Sequence, residues 1–251
     1  MKAMGIRTEI YAVMLLTAGL IMMVGYGCGD DDDEMQPTPG NTRIRAIHLS
    51  PDAPNVDIYV DEEPPAAVTD LAFGESTTYV DLDAGTYTFN ITAEGAPPPP
   101  PSVLDVGPIQ LESGKAYTAV AFNELLAPIE ALPLVDDLSN PGAGNIRLRA
   151  IHVAPDVGEV DIYEVSNPQS PTLLYENVAF RTAGDYLTPL PAGSYAIGFD
   201  VNNDAVADLT FVTPALTEGS ILNVFAVSDG PADVFLIAQF QNGVTARIDP
   251  Q

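Results

Sequence analysis

The two histidines of the chain, His48 and His152, are each followed four residues later by an aspartate, Asp52 and Asp156, across a Ser-Pro or an Ala-Pro step. A carboxylate beside an imidazole can orient it as a general base or help it hold a metal. The same residues can instead brace a Pro-centred turn between two strands, with Pro fixing the bend and Asp capping it. The arrangement occurs twice, and neither copy has a Ser or Cys nucleophile motif beside it, which favours the structural reading. His48, Asp52, His152 and Asp156 are therefore expected to form a loop motif. A second candidate reads DVNNDAVAD over residues 200–208. The oxygens of Asp200, Asn202, Asp204 and Asp208 recur at the spacing with which a tight loop wraps Ca²⁺. Ala205 stands where such loops usually carry Gly, and no Glu closes the loop, so a polar hairpin tip is the competing reading. Calcium is the one cofactor for which the sequence offers a candidate site.

Arg43, Arg45, Arg147 and Arg149 alternate along two equivalent segments, so each pair shares one strand face. In a chain with 9 Lys+Arg against 35 Asp+Glu and a formal charge of −26, they are expected to pair with carboxylates, Asp57 and Asp161 being the nearest candidates. A balance this acidic repels phosphate backbones and excludes nucleic acid as a partner class. The chain has a single cysteine, Cys28. That excludes an intramolecular disulfide, Cys-rich zinc sites and CxxC redox chemistry. Neither a G-x-S-x-G nor an H-E-x-x-H motif occurs.

The elements that must position these groups repeat. Residues 40–60 read GNTRIRAIHLSPDAPNVDIYV and residues 144–164 read GNIRLRAIHVAPDVGEVDIYE. Weaker matches follow: Ala72-Phe73 with Ala179-Phe180, Tyr79 with Tyr186, and Tyr87 with Tyr195. Within each copy the hydrophobic period is two, as in VDIYV, TYTFNIT and DVFLIAQF, with turn residues between the runs. No segment shows the 3.6-residue period of an amphipathic helix. The predicted fold is all-β, with two tandem immunoglobulin-like β-sandwich domains following a signal peptide and a flexible tether. The expected boundaries are 1–27 for the signal peptide, 28–42 for the acidic tether, 43–140 for the first sandwich and 141–251 for the second.

The N-terminal segment has basic Lys2 and Arg7, an apolar run from Ile10 to Val24, and then VGYGC. This is the layout of a signal peptide. VGYGC resembles the lipobox of bacterial lipoproteins, in which cleavage before the Cys is followed by acylation of its thiol and new amino group. The resemblance implies lipidation of Cys28. Gly29 after the Cys implies, by analogy with enteric lipoproteins, the outer membrane rather than inner-membrane retention. The run Asp30–Glu34 cannot pack and self-repels, as a tether would.

The segments HLSPDAPNVDIYV and HVAPDVGEVDIYE resemble the signature of a bacterial family of domains of unknown function, found as tandem repeats in lipoproteins and secreted proteins. Ala154, Val157 and Gly158 depart from it in the second copy. The family carries no established activity, so the resemblance implies fold and localisation rather than chemistry. The function expected is that of an exported, lipid-anchored envelope protein, periplasm-facing or on the cell surface. It would be a non-catalytic binding, adhesion or structural module whose partners are the membrane and a protein or glycan. Its two unlike hairpin tips, Pro-rich over 97–101 and acidic over 200–208, are expected to face the ligand. The alternatives are a carboxylate-dependent hydrolase and a periplasmic carrier of a small apolar ligand, which would need a cavity.

Overall fold

The computed structural model describes residues 40–96, 102–125, 128–230 and 233–251. The expected signal peptide, Cys28, the acidic run and Pro97–Pro101 lie outside the described residues. The described chain is all-β, as the period-two pattern predicts.

The first half contributes β1 (Asn41–Leu49), β2 (Val56–Val60), β3 (Glu63–Leu71), β4 (Val80–Asp83), β5 (Gly85–Ala93), β6 (Leu104–Leu111), β7 (Ala116–Phe122) and β8 (Glu130–Asp136). The second contributes β9 (Asn145–His152), β10 (Val160–Glu164), β11 (Thr172–Val178), β12 (Thr182–Ala183), β13 (Leu190–Pro191), β14 (Ala196–Asp200), β15 (Leu209–Val212), β16 (Ile221–Ser228), β17 (Val234–Phe240) and β18 (Thr245–Ile248).

Four sheets result. In the first half, β4-β1-β7-β8 faces β3-β2-β5-β6. In the second, β12-β9-β16-β17-β18, with β13 also on β9, faces β11-β10-β14-β15. One topological feature recurs: β1 pairs in parallel with β7, with Arg45 opposite Thr118, and β9 pairs in parallel with β16, with Arg149 opposite Asn223. Each half has its own core. Ile44, Val56, Ile58, Phe89 and Tyr117 anchor the first. Ile146, Val160, Phe199, Phe211 and Leu236 anchor the second.

A third core joins the halves. Ile47, Leu49, Val120, Phe122 and Leu134 of the first pack with Ile151, Val153, Phe225, Val227, Phe235 and Ile237 of the second. Phe73 meets Phe235 edge-on at 6.2 Å between centroids, and Phe180 meets Phe122 at 5.9 Å. The two central sheets are thus buried on both faces. This explains why β16 (ILNVFAVS) and β17 (VFLIAQF) read as nearly continuous apolar runs, whereas the outer β3 (EPPAAVTDL) is mostly exposed. Alternation along β1 sends Ile44 into the first core and Arg43, Arg45, Ile47 and Leu49 to the opposite face.

Candidate functional site

His48 and His152 are fully buried at the ends of β1 and β9. In the first copy the Ser50 N–H donates to Nδ1 (3.3 Å), which places the ring proton on Nε2, and Nε2 bonds the Pro54 carbonyl (3.2 Å). The second copy repeats this with Ala154 N–H on Nδ1 (3.3 Å) and Gly158 carbonyl on Nε2 (2.8 Å). Edge contacts with Phe73 and Phe180 complete each pocket. Burial holds both imidazoles below their ordinary pKa, outweighing the opposing pull of the carbonyls. Both nitrogens are engaged by local backbone, so each ring clamps its loop in the neutral form.

The aspartates do other work. Asp52 accepts the Leu125 N–H (2.8 Å) and ties the loop after β1 to the one after β7. Asp156 is exposed. No His–Asp hydrogen bond forms among the described residues.

The 200–208 loop is organised around one carboxylate. Asp200 accepts the backbone N–H groups of Asn203 (2.7 Å), Ala205 (2.7 Å), Asn202 (3.1 Å) and Asp204 (3.4 Å). Burial raises its pKa, but the four amides prevail and hold it below the usual carboxylate range. Asp208 accepts from Val201 N–H (2.9 Å) and from the Asn202 side-chain amide (3.1 Å). Asp204 caps Val206 N–H (2.9 Å). The four candidate ligands are thus brought to one tip, with Asn202 turning its nitrogen rather than its oxygen to Asp208. Among the described residues no group of three or more His, Cys, Asp or Glu is poised around a common point.

The arginine pairing expected from sequence is corrected by the structure. Asp57 accepts the backbone N–H of Asp70 (2.9 Å) and Gly95 (3.0 Å), and Asp161 that of Asn177 (2.6 Å). Asp70 and Asn177 are left-handed residues, at φ 57° and 51°, in the bulged strands β3 and β11. The carboxylates thus hold bulges rather than arginines.

Arg43 and Arg147 pair instead with Asp81 (3.2 Å) and Asp137 (2.6 Å). Arg45 and Arg149 converge from the two halves on one buried group, Asp136. Arg149 donates to its Oδ1 (2.6 Å), and Thr118 and Tyr79 donate to Oδ2 (2.5 and 2.6 Å). Asn223 donates to Oδ1 (3.1 Å) and to Gln239 (3.1 Å), which in turn reaches Ser76 (2.6 Å). Arg45 donates to Thr118 (2.8 Å) and to the Phe240 carbonyl (2.6 Å). The guanidinium of Arg45 lies 4.5 Å over the Tyr79 ring, and that of Arg149 lies 4.6 Å over Tyr186. Burial first, then the Asp136 charge, push both phenols well above their ordinary pKa, so both stay protonated donors. Sequence reasoning missed Asp136. The faint signal was the doublet Asp136-Asp137 closing an alternating strand, which sends one carboxylate inward and its neighbour outward.

A domain of the family described as "Domain of unknown function (DUF4397)" is found at residues 42–163, just under half of the chain. No curated protein matches the chain. Among solved structures, a similarity extends to "The Bacillus anthracis TIE protein", with 13% identity, over 84% of this chain and 43% of that one, at a TM-score of 0.21. The chain therefore spans less than half of that protein, and a superposition this loose carries no argument about function.

Proposed function

We propose that this chain is a lipid-anchored cell-envelope protein that acts as a non-catalytic binding module, built from two copies of the same domain and held to the membrane through Cys28. The observation that carries the binding role is at the second hairpin tip. A surface pocket of about 320 Å³ lies there, lined by Tyr163, Val165, Pro168, Pro171, Ala205 and Val206, with Val206 63% exposed. An aromatic residue, prolines and the apolar side of the 200–208 loop around a concavity suit a protein or glycan contact. The lipobox-like VGYGC and the acidic run behind it support anchorage on a tether, and the outer membrane is the proposed address.

Three measurements test this reading. Cys28→Ala should move the protein from the membrane fraction to the soluble one and abolish palmitate labelling; unchanged fractionation would overturn the anchorage. Protease shaving of intact cells then assigns the side, since digestion marks the cell surface and protection until permeabilisation marks the periplasm. Replacing residues 201–207 by a Gly-Ser turn should abolish retention on envelope glycans or envelope proteins. Undiminished retention would remove the tip from the binding role.

A further inference from the structure

The two halves answer the same local problem differently, and the difference leaves a cleft in the first. The comparison turns on the alanine that follows the second arginine of each opening strand, Ala46 on β1 and Ala150 on β9. In the second half the Tyr175 hydroxyl donates to the Asp185 carbonyl (2.8 Å), and its ring borders the same apolar space as Ala150. The Tyr175 ring lies between the sheets on Gly184, where a Cβ would come within 2.3 Å of it. In the first half the position of Gly184 is held by Thr77: both donate their backbone N–H to the equivalent alanine, Ala46 or Ala150. The position of Tyr175 is held by Val68: the pairs Ile58–Val68 and Ile162–Tyr175 are in the same register. The Thr77 hydroxyl accepts the Ala46 N–H (2.9 Å). Nothing replaces the ring.

What remains is an apolar cleft of about 80 Å³ between the edge strands β3 and β4. Val68, Thr77, Val80, Leu82, Phe89 and Ala46 line it, and its mouth lies at exposed Ala67 and at Val80, which is 49% exposed. In the second half, the space that Tyr175 borders together with Leu148, Ala150 and Ile162 is about 30 Å³ and runs toward Val160 and Leu236.

We propose that this cleft binds one small apolar aromatic ring, of the benzene or toluene class, as a free molecule. The second half supplies the measure of fit, because there the same gap between the same strands is closed by an aromatic ring of its own. The cleft is smaller than the roughly 150 Å³ that encloses a whole benzene. The ring therefore enters edge first and leaves its far edge at the Ala67–Val80 mouth, so that a substituent there stays in water. The exposed lining is almost wholly apolar, so the walls offer the ligand dispersion contacts and desolvation. The inference goes beyond the binding reading, since it assigns a second site with its own ligand class. It rests on the first half alone, so its failure would leave the Cys28 and hairpin-tip tests standing.

The probe is benzyl alcohol, whose hydroxyl can sit at the mouth, titrated into the whole exported chain with methyl NMR as the readout. Saturable shifts are expected at Val68, Val80 and Leu82, with a dissociation constant on the order of 1 mM, as befits a ligand of so few atoms. The double variant Val68→Tyr/Thr77→Gly transplants the second half's plug and should abolish these shifts. The reverse exchange, Tyr175→Val/Gly184→Thr, should add a second set of saturable shifts in the second half, and it tests the idea even where the first variant does not fold. Absence of saturation in the wild type, or equal binding by the plugged variant, would overturn the proposal.

Discussion

At the scale of single residues, His48 and His152 set a pH limit on the fold. Each is buried neutral with its pKa below 6.5, whereas the unfolded chain titrates near that value. In the window between the two, the unfolded state binds more protons than the native one, so stability rises with pH there. Their contribution is complete above pH 6.5 and declines as pH falls toward the lower native value. Urea midpoints measured at pH 7.5 and 5.5 should show the loss, and His48→Gln/His152→Gln should flatten it while lowering stability at both pH values. Asp136 acts more strongly. It is the buried carboxylate facing two buried guanidiniums, and its side chain is 0% exposed. Asp136→Asn would leave Arg45 and Arg149 without a counter-charge and should cost about 3–5 kcal/mol in denaturant unfolding, the usual penalty for breaking a buried pair from one side. Asp137→Asn, one residue away with a half-exposed side chain, should cost under about 1 kcal/mol.

At the scale of elements, strands were legible where their alternation was clean. VDIYV and its repeat form β2 and β10, and the Arg43/Arg45 alternation put both side chains on one face. The partners of those faces were not legible. Asp57 and Asp161 looked available to the arginines as residues of a neighbouring strand, but β2 and β10 lie in the facing sheets. Their lone pairs instead go to the N–H groups of bulges that no hydrophobic pattern announces. The 200–208 loop shows the same limit. Spacing alone cannot tell a carboxylate that faces a cation from one that faces its own backbone, and Asp200 faces four amides. Calcium at this tip must therefore compete with those amides. A rise in melting temperature on adding Ca²⁺, absent in Asp200→Asn, would establish it; no shift would assign Asp200 a purely structural role. In either case Asp200→Ala should destabilise by about 1–3 kcal/mol, since several backbone donors lose their acceptor.

At the scale of the molecule, the sequence repeat implied two self-sufficient sandwiches, and each half does have a core of its own. What the repeat did not disclose is the core between them, because an apolar run reads alike whether it is covered on one face or two. The first half alone, residues 43–140, would expose Ile47, Leu49, Val120 and Phe122 together with Arg45 and Asp136. It should self-associate, as size-exclusion chromatography would show. The second half alone, residues 141–251, keeps Arg149 but has no Asp136, and pairing two such copies would bury two cations without an anion. It should remain monomeric or precipitate rather than form a defined dimer.

The junction around Asp136 resembles the contact of a twofold dimer whose subunits have been joined end to end. Arg45 and Tyr79 on one side answer Arg149 and Tyr186 on the other, while the carboxylate that both arginines share, Asp136, comes from the first half. In a dimer of identical subunits every substitution at such a contact enters twice, and a residue that works only once cannot be tried. Joining the copies in one chain removes that constraint. A single carboxylate can then serve both guanidiniums, and one half can keep a tyrosine between its sheets while the other lets the gap stand open.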